Sequence, residues 1–416
     1  MRIFVSPTTY TLEEAKALPR WRQPIILLFV MAAAMPLAFS VWSAMLNNFV
    51  IGVAGFDGVD IGWLQSVREI PGFLAVGVIA VIMFMREQVL GVVALITLGV
   101  AVAVTSYFPS FEGLLVTTMI SSIGFHYYET INQSLQLQWL DRSKAPQTLG
   151  LLVAVGSAAS LLAYGLIIVG WLYFGLTYRM AYLVGGGATV VLAIFCFVAY
   201  PQFDSPTPQH KKMILRKRYW LYYAIQLMAG ARRQIFVVFA AFMMVERFGF
   251  QVYQLTALFM INYIANIVFA PLMGRVVAKF GERTALTLEY SGLALIFMAY
   301  GGVYYFGWGA VIAAGLYVLD HMFFALAFAQ KTYFQKIAAA ADVAPTAAVA
   351  FTINHISAIF LPVFLGYLWI KSPGLVFGFA AAMALVSLAL VRLIPRNPSE
   401  GNETVFSPRK RSPEAA

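Results

Sequence analysis

The chain has 416 residues, of which 61% are hydrophobic and only 11% charged, with a mean hydropathy of +0.79. Soluble domains carry roughly 25% charged residues, so a water-soluble globule is excluded. The apolar runs are continuous rather than alternating, which excludes a β-barrel, and the net charge of +10 awaits the placement of its lysines and arginines.

Residues 1–23 are polar and basic. Thr11-Leu-Glu-Glu14 has the pattern of a capping box, so the stretch forms either a short helix on the membrane surface or a disordered leader. It is not a secretory signal, because the apolar run that follows is too long and lacks a small-residue cleavage site.

Twelve apolar segments follow, at about 24–49, 60–85, 88–108, 112–139, 146–170, 178–200, 219–246, 250–275, 284–306, 309–337, 345–370 and 373–394. Each is long enough to cross a hydrocarbon layer of ~30 Å at ~1.5 Å per residue. The expected fold is therefore an all-α polytopic membrane protein. Most breaks carry Gly, Pro or charge. The weakest is between the second and third segments, with only Arg86, Glu87 and Gln88. Residues 201–218 form a basic linker that divides the chain into bundles of six helices at 24–200 and 219–394, and residues 395–416 are expected to be a disordered tail.

Placing the N-terminus in the cytoplasm puts 22 of the 28 lysines and arginines on the inner side. By the positive-inside rule both termini are then cytoplasmic. These are topology charges, so no nucleic-acid partner is implied. The expected location is the cytoplasmic (inner) membrane.

The fourth segment contains Gly124–Gln138, where His126, Glu129, Gln133 and Gln136 fall on one helical face. Such a stripe cannot face lipid cheaply and needs a protein partner or a water-filled cavity. The halves also repeat. A shift of 199 residues lays Gln335 on Gln136 and Ala344-Pro345 on Ala145-Pro146, both at the junction of the fourth and fifth segments of a half. Parallel six-helix halves are a transporter architecture.

Gly274, Lys279, Gly281 and Arg283 lie between segments 8 and 9. They resemble the signature loop of the major facilitator superfamily, with Ala278 at its acidic position and Glu282 at a basic one. The corresponding first-half loop, Phe84 to Gln88, lacks the glycines. The resemblance extends over nearly the whole chain. It implies two six-helix bundles and a central cavity lined by the first and fourth helices of each half, here segments 1, 4, 7 and 10, with the Gly274–Arg283 loop as the gating loop.

The polar residues agree with that cavity. Segment 1 carries Ser40, Ser43 and Asn47 on one face; segment 7 carries Arg232 and Arg233 about 13 residues (~20 Å) from its inner start; segment 10 carries Asp320 and His321 about 11 residues (~16 Å) from its outer end. Asn354 and His355 lie in segment 11. Two mid-membrane arginines cost roughly 2.5–3.5 kcal/mol each on translocon scales. At ~100° apart, one should face the cavity and one a neighbouring helix. One reading makes an arginine the ligand of an anionic substrate. The other makes both structural, paired with Asp320 and Glu129. Gln133, Gln136, Ser43, Asn47, Asn354 and His355 are the candidate hydrogen-bonding residues. Glu129, Asp320, His126 and His321 are the candidate proton carriers or ion-pair partners. Arg68 and Glu69, near the outer end of segment 2, and Glu289, near the inner end of segment 9, lie at depths that let side chains snorkel, and they read as structural charges, in gate or interface pairs.

No P-loop, paired-histidine metal motif or nucleophile elbow is present, so neither ATP, a cofactor, a metal nor an enzymatic activity is expected. The reading is a monomeric secondary transporter of a small organic anion or zwitterion, working by alternating access with proton coupling. Proton-driven efflux of amphipathic compounds is the alternative. A membrane scaffold or sensor that no longer transports is the alternative of another class.

Overall fold

In a hydrocarbon layer every backbone N–H and C=O must be satisfied within the chain, so each apolar run is driven into a helix. The computed structural model describes residues 9–74, 77–82, 84–140, 145–204, 215–339 and 342–407. Ten helices among them are long and apolar enough to span a membrane. The second and fourth predicted segments are helical too, but fall outside those ten: the second is described as a helix of only 16 residues, and the fourth is made less apolar by its polar stripe. Asp60, Arg68 and Glu69 lie in one, and Glu112 and Glu129 in the other. The protein is an all-α polytopic membrane protein.

Its helices form two units. The first comprises residues 1–56, 67–210 and 250–260; the second comprises 57–66, 211–249 and 261–416. The units follow the two expected halves except that residues 57–66 of the second segment and 250–260 of the eighth are assigned to the other unit.

The first unit contains α1 (Pro24–Gly52), α3 (Gly77–Ile82), α4 (Glu87–Val104), α5 (Phe111–Trp139), α6 (Ala145–Tyr173) and α7 (Tyr178–Ala199); α2 (Gly58–Phe73) enters it from the second unit at Val67. Helix α4 lies against both α5 and α7. Glycine permits the contact: a Cβ on Gly99 would stand 2.6 Å from the Gly186 carbonyl oxygen, and one on Gly124 2.5 Å from the Leu98 nitrogen. Small residues let membrane helices meet backbone to backbone. Pro36 interrupts α1. There the buried Thr189 hydroxyl of α7 donates to the Ala34 carbonyl at 2.7 Å and accepts from the Ala38 N–H at 3.1 Å, inserting itself into the weakened ladder.

Gly186→Val is expected to destabilise the unit by about 1–3 kcal/mol or more, because both backbones must move apart. Gly187→Val, with nothing within 4 Å of its Cβ, should leave the melting temperature nearly unchanged. Thermal unfolding of the two purified variants checks this.

A small clasp closes one end of the first unit. Strand β1 (Thr9–Thr11) pairs in parallel with β2 (Gln202–Asp204). Gln88 donates to the Pro201 carbonyl at 2.9 Å and accepts from the Phe203 N–H at 3.0 Å, while Arg86 reaches Thr9 at 2.9 Å and Asp204 at 3.5 Å. The loop that carries no glycine signature is thus held by the leader and the start of the linker. The expected capping box forms, with the Thr11 N–H donating to Glu14 Oε2 at 2.8 Å and the Glu14 N–H to Thr11 Oγ1 at 3.3 Å. It opens only a single 3-10 turn, Glu14–Ala17, so the surface helix and the disordered leader are both corrected over residues 9–23. The middle of the linker, 205–214, and the tail beyond 407 lie outside the described residues.

The second unit contains α8 (Trp220–Gln234), a π-helical turn (Ile235–Ala240), α9 (Ala241–Glu246), the larger part of α10 (Val252–Tyr305), α11 (Ala310–Phe324), a 3-10 turn (Ala325–Ala327), α12 (Phe328–Ile337), α13 (Val343–Lys371) and α14 (Pro373–Arg392). Helix α10 is two spans joined at Gly281, whose φ of +79° suits glycine alone and makes the predicted break. Helices α8 and α13 meet where the Gly230 Cα lies against the Asn354 backbone. Asn354 Nδ2 donates to the Gln226 carbonyl at 3.2 Å and Ser357 Oγ to the Leu227 carbonyl at 2.8 Å. Residues 395–407, expected to be disordered, instead fold back: the Val405 N–H donates to the Leu393 carbonyl at 2.9 Å and the Tyr333 hydroxyl to the Glu403 carbonyl at 2.6 Å.

Candidate transport site

The second unit buries a charged cluster. Arg232 of α8 is 4% exposed, Glu289 of α10 is 0% exposed and Asp320 of α11 is 2% exposed. Arg232 Nη2 stands 3.1 Å from Glu289 Oε1. Asp320 interacts electrostatically with both Arg232 and Glu289. One cation facing two carboxyls is neutral when the carboxyls together hold a single proton. Neither Glu289 oxygen nor Asp320 Oδ2 accepts a hydrogen bond among the described residues, so the cluster is held by charge more than by fixed hydrogen-bond geometry. Just beyond Arg232 the helix widens into the π turn Ile235–Ala240, a backbone irregularity found often at functional sites. The 3-10 turn Ala325–Ala327 interrupts the other bearing segment soon after Asp320.

This pairing corrects the sequence reading of Glu289. It lies about 12 Å past Gly281 along the helix, deeper than its distance from the segment end suggested, and it is an ion-pair partner of Arg232. Arg233, the adjacent arginine, is half-buried. The two arginines therefore differ in environment as their angular separation requires. His321 is half-buried with its ring 5.7 Å from Phe236. His355 is buried and shares Nδ1 with the Phe351 carbonyl at 2.8 Å. Asn354 spends its amide on the α8 backbone, so its observed role is to tie α13 to α8.

In the first unit the α5 stripe is present but uneven. His126 is buried, and its Nδ1 lies 3.9 Å from Glu129 Oε2, while the Glu129 side chain is 38% exposed. Gln133 is exposed and Gln136 half-buried. Ser43 donates to the Ser40 carbonyl of its own helix at 3.1 Å, whereas Asn47 Oδ1 is buried without a donor among the described residues. Arg68 and Glu69 pair at 2.5 Å with Glu69 buried, a structural pair of the kind expected of these charges. Ser122 donates to the Arg68 carbonyl. The Arg68 guanidinium lies 5.7 Å from the Trp42 ring centroid, and Trp42, Phe39, Phe125 and His126 continue as a row of ring contacts.

At the signature loop, Gly281 makes the turn, Gly274 lies near the Phe328 ring, Lys279 sits over Phe280, and Glu282 pairs with Lys336 at 2.7 Å. Arg283 lines a cavity with residues of 395–407. Close to the same end of the unit, Asp342 accepts from Arg216 Nε at 2.5 Å and from the Tyr219 hydroxyl at 2.9 Å. The Arg216 hydrogen bond, aided by Tyr219, holds the Asp342 carboxyl below the usual carboxylate range. Its stabilisation is complete above the unfolded-state value of about 4 and is lost as pH falls through the lower folded value. Melting temperatures of wild type and Asp342→Asn should therefore differ at neutral pH and converge towards about pH 3.

A polytopic helical chain that holds an ion cluster and a polar stripe within its membrane segments has the construction of a solute transporter. Residues 26–362 match the family model of the Major Facilitator Superfamily, and the chain belongs to that family; it is a transporter rather than an enzyme. No curated protein matches it by sequence. Similar solved structures include the nucleoside transporter NupG (TM-score 0.68, 13% identity, covering 88% of this chain and 98% of that one). A POT family transporter in complex with a thioalcohol-conjugated peptide gives 0.69, 11%, 88% and 95%. A D-xylose-proton symporter gives 0.67, 12%, 90% and 98%.

Proposed function

We propose that the protein is a proton-coupled secondary transporter of a small organic anion or zwitterion. It works by alternating access in the cytoplasmic membrane, as a monomer with both termini inside. The observation that carries the coupling is the Arg232–Glu289–Asp320 cluster: two carboxyls and one arginine, all buried, whose charge balance changes by one with a single proton. Asp320 is the group that exchanges this proton, because Glu289 is the carboxyl in direct contact with the guanidinium. A symporter of a sugar and a proton among the similar folds is consistent with this coupling.

Arg232 pairs with Glu289, and Arg233, which differs from it in exposure, is the arginine assigned to a substrate carboxylate. In the first unit Gln133, Gln136 and Asn47 are the hydrogen-bonding candidates. Arg233→Ala is expected to raise KM for the substrate with little loss of stability, in contrast to Arg232→Ala. Transport kinetics of both variants, after a thermal-stability screen has named the substrate, test this assignment. Normal transport by both would remove the arginines from the site.

The row Trp42–Phe39–Phe125–His126 favours a second reading, efflux of amphipathic compounds on an aromatic wall. Susceptibility of a deletion strain to a compound panel separates the two.

A further inference from the structure

A cavity of about 570 Å³ opens at the end of the second unit where α14 finishes and the second span of α10 begins. Its lining includes Arg283, Arg396, Asn397, Ser399, Asn402 and Ser407. The wall made by the chain after α14 is fastened by its own bonds. The Asn402 N–H donates to the Ser399 carbonyl at 2.9 Å, and Asn402 Nδ2 donates to the Asn397 carbonyl at 2.8 Å. Glu403, next in the chain, is tied through its carbonyl to Tyr333. The cavity is therefore a built feature of the folded chain.

Its charge is unbalanced. Among the described residues neither Arg283 nor Arg396 has a carboxylate partner. The one acid in the lining, Glu400, is engaged from outside the cavity by Arg218 at 3.3 Å. Two arginines lining one space, with Asn397, Ser399, Asn402 and Ser407 beside them, are complementary to a phosphate, which accepts forked hydrogen bonds from arginine. The chain neighbours of two lining or turn residues are exposed and apolar. Phe406 is 72% exposed and Phe280 is also exposed, as suits a site at a lipid surface.

We propose that Arg283 and Arg396 form a binding site for a phosphate-bearing anion, separate from the transport site, at the face that carries most of the basic residues. A phosphodiester lipid headgroup and a free phosphate offer the same chemistry, and the test distinguishes them. Occupation would fasten the 395–407 segment to the start of the second span of α10.

The full-length protein in neutral detergent is titrated with phosphatidylglycerol, with phosphatidylcholine and with inorganic phosphate, and melting temperature is followed. The expected result is a saturable rise with phosphatidylglycerol. Arg283→Gln/Arg396→Gln should weaken that response at least tenfold in midpoint concentration. Arg392→Gln, an exposed arginine that does not line the cavity, should leave it unchanged. If phosphatidylglycerol acts and inorganic phosphate does not, the ligand is the lipid; if inorganic phosphate acts equally, it is the free ion. Should the double variant fail to purify, Arg396→Gln carries the comparison, since its exposed side chain has no packing role. Equal responses to phosphatidylglycerol and phosphatidylcholine with none to phosphate, or a full response in the arginine variants, would overturn the assignment.

Discussion

Arg232→Ala is expected to destabilise the protein by roughly 3–5 kcal/mol and to abolish transport, the stability loss being that of a buried ion pair stripped of one partner. The cause is the geometry around the lost guanidinium. Glu289 is fully buried 3.1 Å from it, and Asp320 interacts with the same charge. Without Arg232, two buried carboxyls are left, and among the described residues neither Glu289 oxygen nor Asp320 Oδ2 has a hydrogen-bond donor. They must then be protonated or hydrated at the expense of the fold. Arg232→Lys should retain part of the stability, because a cation remains, but not the two-sided reach of a planar guanidinium. The triple change Arg232→Ala/Glu289→Gln/Asp320→Asn is the sharper comparison. It removes every buried charge of the cluster, so the melting temperature should recover most of what Arg232→Ala lost while gradient-driven transport stays absent. Thermal unfolding of the purified variants reads the first effect and vesicle flux the second. A triple variant no more stable than Arg232→Ala would show that the arginine acts through packing rather than charge.

The second large effect is expected from Asp320→Asn. An amide is close in shape to the carboxyl but cannot exchange a proton, so the variant should fold while losing the coupled step. Accumulation driven by a pH gradient should fall to the level of empty vesicles. Exchange of substrate across equal concentrations, which needs no net proton movement, should continue. Glu289→Gln should behave differently: it removes the direct partner of Arg232, leaves Asp320 to balance the charge, and so should weaken stability and transport together. If both amide variants lose exchange and accumulation alike, the cluster is structural.

Much of this architecture was readable from the residues themselves. Lipid leaves the backbone no alternative to helices, so long apolar runs translate directly into spans, and Gly281 lay where a break needed φ above zero. The polar residues of α1, α5, α8 and α11 marked the helices proposed to carry the site, because such groups persist in a membrane only where something satisfies them. The partners were harder to read. Glu289 read as a structural charge near a segment end, and its position alone did not say that α8 would bring Arg232 to within 3.1 Å of it. Asn354 read as a substrate ligand, yet its amide is used on the α8 backbone beside Gly230. A sequence names a donor but not which acceptor the packing brings to it. The clasp of Thr9–Thr11 on Gln202–Asp204 and the folding back of residues 395–407 were also hidden. Both join short polar stretches to distant parts of the chain, and neither has a periodic pattern of its own.

Proton coupling through the buried cluster is tested most directly in proteoliposomes containing wild type or Asp320→Asn. A panel of nucleosides, sugars, organic acids and short peptides is offered under an imposed pH gradient. Wild type should show flux of at least one compound that rises with the gradient and collapses when a protonophore dissipates it. Asp320→Asn should show no gradient-driven flux while retaining exchange of that compound. Wild-type flux indifferent to the pH gradient, or gradient-driven accumulation preserved in Asp320→Asn, would contradict it.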